Sequence, residues 1–280
     1  MSSSGTLYLV GTPIGNLGDL SPRALEILGS VDFIAAEDTR VTRGLLTHFG
    51  LSKPLVSYYE QNARDSGEKI LARLLAGQSC ALVTDAGMPA ISDPGEALVA
   101  LAAERGIPIA AVPGPTALAT ALALSGLPTQ RFCFEGFLSM NKRQRREHLK
   151  ALQHETRAIV FYEAPHKLQA TLADLFAALG NRRCAIAREL TKLYEEMLRC
   201  TLSEAIDHFA VTPPRGEFVL VIEGRADTVE HDAFPEALTL ASGLVADGVS
   251  VSDAAKRAAE TFHVSRNKLY RALSHPEHET

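Results

Sequence analysis

The sequence predicts an α/β protein with two α/β domains, and the order of its apolar runs carries this prediction. Up to about residue 125, short apolar runs alternate with stretches of helical period, which is typical of a mostly parallel sheet covered by helices. Further on, the runs follow one another with less helix between them, which favours a mixed or antiparallel sheet. We therefore expect one domain over residues 1–125, a second over 126–225 and a small helical element over 232–280.

Each predicted strand is a short apolar run that ends at turn residues, and the helices between the strands carry start signals. Ser21 followed by Pro22, for example, indicates a helix N-cap with proline in the first turn. In the first domain we predict strands at 6–10, 33–36, 55–58, 80–83 and 109–112. In the second domain we predict strands at 131–137, 158–162, 184–189, 197–201 and 218–223, with helices at 145–153 and 167–179.

Three loops rich in glycine and proline follow three of the predicted strands: GTPIGN (11–16), TDAGMPAISDPG (84–95) and PGPTA (113–117). The longest loop holds two glycines, two prolines and two aspartates, so its backbone turns sharply and can approach a ligand closely. In open α/β sheets, ligands bind at the carboxyl ends of the strands, where such loops lie. The loops therefore predict one shared ligand pocket; the alternative is that they are only tight strand-to-helix connections.

The composition is that of a globular protein, with 46% hydrophobic and 22% charged residues among 280. A net charge of −5 argues against a surface that binds nucleic acid throughout, but it leaves room for local basic patches. There is no basic N-terminal segment and no apolar run of signal-peptide or membrane-span length, so we expect a cytoplasmic protein without membrane contact. The four scattered cysteines form no CxxC pair, which favours free thiols.

The common nucleotide and metal motifs are absent from the sequence, and this narrows the choice of ligand. GxxxxGK[ST], HExxH, GxSxG and a GxGxxG after the first strand do not occur, and no zinc-ligand spacing is found, so we expect no bound metal. The loops offer backbone contacts and apolar packing more than phosphate or metal coordination. A sulfonium cofactor that carries an adenosine fits this requirement.

Eight sequence motifs occur in order over about the first 225 residues and resemble those of one family. They are GTPIGNLGDLSPRA, AAEDTRVT, TDAGMPAISDPG, VPGPTALATALALSGLP, FEGFL, FYEAPHK, ARELTKLYEE and GEFVLVIEG. Together they resemble the tetrapyrrole methylase superfamily, the class III S-adenosylmethionine-dependent methyltransferases. The EDTR and FYEAPH strings, with GMP in place of a GDP-type turn, favour its ribosomal RNA branch, the small-subunit rRNA (cytidine-2′-O)-methyltransferases.

This resemblance implies two α/β domains of tetrapyrrole-methylase type with S-adenosylmethionine in the cleft between them, usually in a homodimer. It also implies the small ribosomal subunit as partner and a cytidine 2′-oxygen in the decoding region of its rRNA as methyl acceptor. The positions that it assigns to the cofactor pocket are Pro13, Met88, Ile91, Thr116, Ala117, Tyr162 and Ala187. From the residues themselves, Gly87 and Gly114 permit a close approach of the backbone to the cofactor.

A ribose 2′-hydroxyl is a poor nucleophile, so a base or a cationic environment would help it to attack a methyl group. The candidates for this catalytic role follow predicted strands and face the expected cleft: Glu37, Asp38, Glu163 and Lys192. The alternative for each is a salt-bridged loop residue. Arg40 and Arg188 could hold an RNA phosphate or pair with those acids.

Two basic segments stand out against the acidic average and predict contact with RNA phosphates. In the segment MNKRQRREHLK (140–150), the candidates are Lys142, Arg143, Arg145 and Arg146, and the alternative is a solvated helix face.

The second basic segment lies in the C-terminal element. Ser252 and Ser265 read as the N-caps of two short helices that resemble a helix-turn-helix, whereas a plain helical bundle is the alternative. The candidates for RNA contact on the second helix are Arg266, Lys268 and Arg271.

The leading interpretation is thus an enzyme that methylates small-subunit rRNA, and two alternatives stay open. One is a methylase of small-molecule tetrapyrroles, although such a substrate would not require the arginine cluster. The other is a non-enzymatic regulator that binds nucleic acid through the helix-turn-helix and carries a degenerate sensor domain. That alternative predicts decay of the pocket loops, which here keep their glycines and prolines.

Overall fold

The computed structural model describes residues 4–226 and 233–274, and the described residues fall into two compact units. The first unit ends at Arg225 and the second begins at Ala226. Residues 1–3, 232 and 275–280, the outer ends of the predicted domains, lie outside the described residues. None of the described helices is long and apolar enough to cross a membrane.

The first unit contains a parallel five-stranded sheet with the strand order β3-β2-β4-β1-β5, as the alternating pattern predicted. Two of its inner strands, those of residues 33–36 and 80–83, are buried along their whole length because helices cover the sheet. The strands are β1 (Leu7–Val10), β2 (Phe33–Ala36), β3 (Leu55–Ser57), β4 (Cys80–Val83) and β5 (Ile109–Val112). The helices are α1 (Pro22–Ser30), α2 (Thr39–His48), α3 (Ala63–Leu75), α4 (Glu96–Glu104) and α5 (Ala117–Ser125), with 3-10 turns at Leu17–Asp19 and Glu60–Asn62.

The same unit contains a second five-stranded sheet, and this one is mixed, as predicted. The order is β6-β7-β10-β8-β9, in which β6 and β7 pair in parallel and the other pairs are antiparallel. The strands are β6 (Phe132–Phe137), β7 (Ala158–Glu163), β8 (Arg183–Arg188), β9 (Glu196–Thr201) and β10 (Phe218–Ile222). The helices are α6 (Lys142–Ala151), α7 (Leu168–Leu179) and α8 (Leu202–Val211).

The predicted start of α6 at residue 145 is wrong, and the reason is its N-cap. The side chain of Asn141 accepts hydrogen bonds from the backbone N–H groups of Arg143 and Gln144, at 3.0 and 3.2 Å. Because this cap satisfies the free N–H groups of the first turn, the helix begins at Lys142. All four basic candidates of this segment, Lys142, Arg143, Arg145 and Arg146, therefore belong to that first turn or directly follow it.

Helix α5 joins the two sheets. It starts directly after the loop that follows β5, yet its buried side chains Ala121 and Leu122 pack against Val160 and Ala185 of the second sheet. The chain therefore crosses from the first sheet to the second before residue 125. The domain boundary predicted between residues 125 and 126 stays a prediction, since both sheets belong to one compact unit.

Both ends of α5 are held by side chains of the second sheet. At the N-terminal end, the Tyr162 hydroxyl oxygen accepts a hydrogen bond from the backbone N–H of Leu118, at 3.1 Å. At the C-terminal end, the Arg199 guanidinium donates to the carbonyl oxygens of Leu124 and Ser125, at 2.5 and 3.2 Å. A cation at the C-terminus of a helix is favourable because it faces the negative end of the helix dipole. These contacts fix α5 on the second sheet.

The second unit contains three helices packed around small side chains. They are α9 (Phe234–Ala246), α10 (Val251–Phe262) and α11 (Arg266–Ser274). The buried core between them consists of Ala237, Ala241, Ala255, Ala258 and Leu269. Between α10 and α11 the chain turns at His263, which has a left-handed φ of 53°.

One of the two predicted N-caps in this unit is correct and the other is wrong. The Ser265 hydroxyl accepts a hydrogen bond from the N–H of Lys268, at 3.4 Å, at the start of α11. Ser252, however, lies inside α10, because the hydroxyl of Ser250 accepts from the N–H of Asp253 at 3.1 Å and caps the helix two residues earlier. Either serine satisfies the sequence pattern of a cap, and the fold selects Ser250.

We expect Ala121→Leu to lower the free energy of unfolding by about 1–3 kcal/mol, because a larger side chain overpacks the contact of α5 with the second sheet. Ala119→Leu is the matched control, since Ala119 is exposed on the same helix and leucine has nearly the helix propensity of alanine. Urea unfolding of both variants measures the difference. Equal stabilities would mean that α5 is not tightly packed at Ala121.

Candidate active site

The three loops predicted to share a pocket meet at the carboxyl ends of β1, β4 and β5. Thr12 and Gly87 form an isolated antiparallel bridge, with N–H to carbonyl oxygen distances of 2.9 and 3.1 Å. The Thr12 hydroxyl donates to the carbonyl oxygen of Thr84 at 3.0 Å. A Cβ atom added at Gly114 would lie 2.8 Å from the Cα of Gly11, so only glycine allows this approach. These contacts join the loops into one surface.

A cavity of about 560 Å³ opens beside these loops, and both sheets of the first unit contribute to its walls. The structure brings together there seven of the nine residues predicted to bind the cofactor: Gly87, Met88, Ile91, Thr116, Ala117, Tyr162 and Ala187. Pro13 is buried next to Ile14, which lines the cavity, and Gly114 is packed against Gly11 outside the lining. Contact with a cofactor stays a prediction for all nine.

The walls of the cavity are mostly apolar, with a polar rim. Ala187 lies fully buried on β8, and Ala117 begins α5, whose N-cap Thr116 accepts a hydrogen bond from the N–H of Ala119 at 3.1 Å. Such a pocket suits a ligand with an uncharged ring system. Among the residues that the structure describes, no three histidine, cysteine, aspartate or glutamate side chains are grouped to hold a metal ion.

The loop between β4 and α4 is held in an unusual conformation along the cavity. Ala90 and Ser92 have positive φ angles of 66° and 61°, a region in which a residue with a Cβ is disfavoured. Such residues cost on the order of 1–3 kcal/mol each and persist only where the surrounding structure holds them. The shape of this loop, which carries Ile91 and Asp93 into the cavity wall, is therefore fixed by its packing.

Two of the predicted catalytic residues lie outside the cavity lining, each in an ion pair. Asp38 caps α2 and pairs with Arg40 at 2.6 Å, and the hydrogen bond from Arg40 lowers the pKa of Asp38 to about 2. The Lys192 ammonium donates to Glu189 and Glu217 at 3.0 and 2.8 Å. Burial lowers the pKa of Lys192, but these two hydrogen bonds outweigh it and the net shift is upward. Both groups are charged and partnered.

Glu163, another of the four catalytic candidates, lines the cavity but is buried in a hydrogen-bond network. One carboxylate oxygen accepts from the N–H of Ala164 at 2.9 Å, and the other accepts from the hydroxyl of Thr171. The Thr171 oxygen in turn accepts from Arg145 at 2.8 Å. Both oxygens of Glu163 are thus engaged within the protein. The catalytic roles of Asp38, Glu163 and Lys192 stay predictions.

Asp93 is a cavity residue that the sequence prediction did not single out. Its burial, together with the negative charges of Glu37 and Asp85, raises its pKa to about 6. Burial also raises the pKa of Glu37, which is not among the residues lining the cavity. The sequence did mark this position, since Asp93 is one of the two aspartates in the long loop. That Asp93 faces the cavity, however, depends on the fold.

Phe137 is another cavity residue to which the sequence prediction gave no role. It ends β6 within the FEGFL motif, and 55% of its surface is exposed. Its ring lies 5.7 Å from the ring of Tyr162, between centroids, in an edge-to-face arrangement. A large aromatic side chain at the mouth of a cavity is available to a ligand, and the motif alone could not show that exposure.

Several of the basic side chains predicted to bind RNA form ion pairs within the protein, and most of those on the two basic helices are exposed. Arg145 is only 15% exposed and pairs with Asp174 at 2.6 Å, whereas the exposed Arg143 pairs with Glu147 on its own helix at 2.9 Å. Arg40 pairs with Asp38, one of the candidate acids, and Arg188 pairs with Glu196 at 3.1 Å, which is not one of them; contact of either arginine with RNA stays a prediction. The exposed candidates on the two basic helices are Lys142, Arg143, Arg146, Arg266, Lys268 and Arg271.

Comparison of the sequence with known proteins shows the family of this chain. The family model of the tetrapyrrole (corrin/porphyrin) methylases matches residues 6–206. A ribosomal RNA small subunit methyltransferase I from Synechocystis is 49% identical over 269 residues, which cover 95% of this chain and 96% of that protein. The protein of the same name from Thermotoga maritima is 49% identical over 221 residues, which cover 79% of this chain and 99% of that protein.

Solved structures show the same fold at lower identity. A uroporphyrin-III C-methyltransferase from Thermus thermophilus, solved in complex with S-adenyl homocysteine, has a TM-score of 0.56 and 18% identity. The match covers 78% of this chain and 97% of that one. From the family match and the near-full-length relatives, the chain belongs to the tetrapyrrole methylases and, within them, to the ribosomal RNA small subunit methyltransferase I family.

Proposed function

We propose that this protein transfers a methyl group from S-adenosylmethionine to the 2′-oxygen of a cytidine in the decoding region of small-subunit rRNA. The observation that carries the proposal is the similarity along nearly the whole chain to proteins named ribosomal RNA small subunit methyltransferase I. The choice of a cytidine 2′-oxygen rests on the resemblance of the EDTR and FYEAPH strings. A ribosomal substrate also agrees with the predicted cytoplasmic location.

The cavity fits S-adenosylmethionine in size and chemistry. Ligand pockets in proteins typically measure about 300–1,000 Å³, and the volume here is about 560 Å³. Met88, Ile91 and Ala187 offer apolar contact to an adenosine. The related fold of the Thermus enzyme in complex with S-adenyl homocysteine supports this assignment.

Positioning is the main contribution that we assign to the protein in this reaction. Methyl transfer is an in-line displacement, so the acceptor oxygen must lie opposite the sulfur, and fixed geometry supplies much of the rate. The loop of 84–95, with its strained Ala90 and Ser92, and the first turn of α5 form walls whose shape is set before any ligand binds.

The direct test is methylation of small subunits from cells that lack this protein. We expect the wild-type protein and labelled S-adenosylmethionine to place one 2′-O-methyl group on a decoding-region cytidine. Mapping of 2′-O-methyl positions in the rRNA locates the product. Label on a base, or on no ribosomal nucleotide at all, would overturn the proposal.

Met88→Ala should weaken S-adenosylmethionine binding about 5- to 30-fold, which corresponds to about 1–2 kcal/mol of lost apolar contact. Met140→Ala is the matched control, because Met140 is exposed and is not among the residues that line the cavity. Isothermal titration calorimetry measures both affinities. If the two variants bind equally well, Met88 does not contact the cofactor.

Helix α6 is the first surface that we propose for rRNA binding. Replacement of Lys142, Arg143 and Arg146 by alanine should weaken binding to small subunits and flatten its salt dependence, by about 0.7 in the logarithmic slope per lost phosphate contact. The control removes the same charge from exposed positions elsewhere, with Arg43, Arg64 and Lys69 replaced by alanine. Filter binding over a range of salt concentrations gives both slopes. Equal slopes would reduce α6 to a solvated helix face.

Arg145 is left out of this set because its guanidinium contacts Asp174 and Thr171 inside the protein. Its replacement would disturb the packing of α6 on α7 and the network around Glu163. A loss of RNA binding in a variant that includes Arg145 could therefore come from altered structure, and the three exposed positions avoid that ambiguity.

The C-terminal unit is the second proposed rRNA-binding surface, through Arg266, Lys268 and Arg271 on α11. It has its own small core, and the core clusters of the first unit lie entirely before Gly224 among the described residues. The Thermotoga relative covers only 79% of this chain while matching over 99% of its own length, so a shorter chain occurs in the family. The unit is therefore proposed to assist docking rather than catalysis.

Protein that ends at Ala226 should stay folded and bind S-adenosylmethionine with unchanged affinity, while its KM for small subunits rises with little change in kcat. The reason is that the removed helices contribute binding to rRNA and no wall of the cavity. Steady-state methylation assays measure KM and kcat, and calorimetry provides the folding control. An unchanged KM would make the unit an accessory bundle.

The predicted homodimer is also part of the proposal. Large apolar side chains are exposed on the first unit at Leu193, Tyr194 and Val211, and a self-association surface would cover such groups. The molar mass in solution, measured by light scattering, distinguishes a dimer from a monomer.

A further inference from the structure

Two residues that line the same cavity, Asp93 and Phe137, have no part in the cofactor assignment. We propose that they form the subsite for the acceptor nucleotide: its base stacks on Phe137, and its ribose 2′-hydroxyl donates a hydrogen bond to Asp93, which takes the proton. This inference rests on the proposed function and adds to it the residues that hold and activate the acceptor.

The residues that precede them in the chain contact each other, because the side chain of Ser92 lies against Gly136. A Cβ atom added at Gly136 would lie 2.9 Å from the hydroxyl oxygen of Ser92, and Gly136 has a φ of 60°, so glycine is needed where β6 meets the loop. Asp93 directly follows Ser92, and Phe137 directly follows Gly136. Both residues also line the cavity together with Tyr162, whose ring centroid lies 5.7 Å from that of Phe137, so one nucleotide can meet the carboxylate with its ribose and the ring with its base.

Phe137 has the features of a stacking platform. Most of its ring is open at the cavity, while Tyr162 contacts it from the side, with centroids 5.7 Å apart. The register of β6 shifts between Phe134 and Gly136, which turns the end of the strand. Enzymes and RNA-binding proteins recognise unstacked bases on exposed aromatic rings of this kind.

Among the described residues, Asp93 is the carboxylate of the cavity that has no bonding partner. Three carboxylates line it among the described residues, and Glu163 and Glu217 are engaged by Thr171 and Lys192. Asp93 forms no hydrogen bond or ion pair with another residue of the described chain, although its loop is rigidly packed. A base needs a free oxygen within reach of the substrate, and Asp93 meets this condition whereas Glu163 does not.

The charged and titratable groups around Asp93 favour proton uptake near neutral pH. Glu37 and Asp85, which follow β2 and β4, add negative charge to the effect of burial, and the pKa of Asp93 rises to about 6. From the second sheet, Tyr162 faces Asp93, and Asp93 contributes to the raised pKa of that phenol after burial. Glu163, His166 and Glu217 line the same cavity. A base with a pKa near the working pH transfers protons most effectively.

The reaction balances with these groups alone. The 2′-oxygen forms a bond to the methyl carbon while the carbon–sulfur bond breaks, and the sulfur keeps the bonding electron pair. The hydroxyl proton passes to the carboxylate of Asp93, which releases it to solvent after the methylated RNA leaves. The products are the 2′-O-methyl ribose, S-adenosylhomocysteine and one proton.

The first arm of the test is the kinetics of Asp93→Asn. We expect kcat to fall about 100-fold or more, because asparagine keeps the shape of the side chain but cannot accept the proton. The wild-type kcat/KM should decrease as the pH falls below about 6, where Asp93 becomes protonated, and the residual rate of Asp93→Asn should lack this decrease. Asp65→Asn, at an exposed position of α3, is the control and should behave as wild type.

The second arm is the aromatic series at Phe137. Phe137→Leu keeps an apolar side chain but removes the ring, and should raise KM for the small subunit about 5- to 150-fold, which corresponds to about 1–3 kcal/mol of stacking. Phe137→Tyr should restore a near wild-type KM. Phe132→Leu, on the same strand at a partly exposed position away from the cavity, should change little. Affinity for S-adenosylmethionine, measured by calorimetry, should stay the same in all three.

The outcomes test the methyl transfer, the role of Asp93 and the role of Phe137 separately. If the wild-type protein places no methyl group on rRNA, the proposed function fails. If the wild-type protein is active and Asp93→Asn keeps its kcat and the acidic decrease of kcat/KM, Asp93 is not the base. If Phe137→Leu keeps its KM, or weakens cofactor binding instead, the stacking subsite is wrong.

Discussion

The position of α5 between the two sheets is the constraint on which the cavity depends. The helix leaves the first sheet directly after the loop of 113–117, and its buried face packs on the second sheet. Its N-terminal turn is hydrogen-bonded to Tyr162, and its C-terminal carbonyl groups are held by Arg199. Because α5 cannot shift on the second sheet without breaking these contacts, the cavity walls from both sheets keep a fixed spacing. A displacement reaction needs this fixed spacing, since it depends on the alignment of two reactants.

Within this frame, the pairing of charges decides which groups can act. Lys192 and Glu217 neutralise each other at the rim, and Glu163 is satisfied by Thr171 and Ala164. A buried acid without such partners favours its protonated form, and its pKa rises. Asp93 is in that state, and its pKa rises to about 6. The same types of residue thus serve structure or chemistry according to their contacts.

Much of the fold could be predicted because its signals are local. All ten predicted strands are present, and their ends lie within one residue of the predicted ends. The reason is that a buried strand appears in the sequence as a short apolar run between turn residues. Helix starts were predicted less accurately. The start of α6 depends on the cap at Asn141, and that of α10 on the cap at Ser250 rather than at Ser252. Several residues near a helix start satisfy the cap pattern, and tertiary packing chooses among them. The pairing of Arg145 with Asp174, 29 positions away, has no local signal at all.

For the site, the loops could be predicted but the contacts between them could not. The glycines and prolines of 84–95 and 113–117 marked the cavity, and seven of the nine assigned residues lie in its wall. Asp93 and Phe137 stood in the same motifs without a role, because neither motif shows that Ser92 lies against Gly136. That contact needs a left-handed glycine at the end of β6 and a positive φ at Ser92, which is disfavoured for a residue with a Cβ. A strained backbone persists only where the surrounding packing holds it. Here that packing fixes the positions of the Asp93 carboxylate and the Phe137 ring.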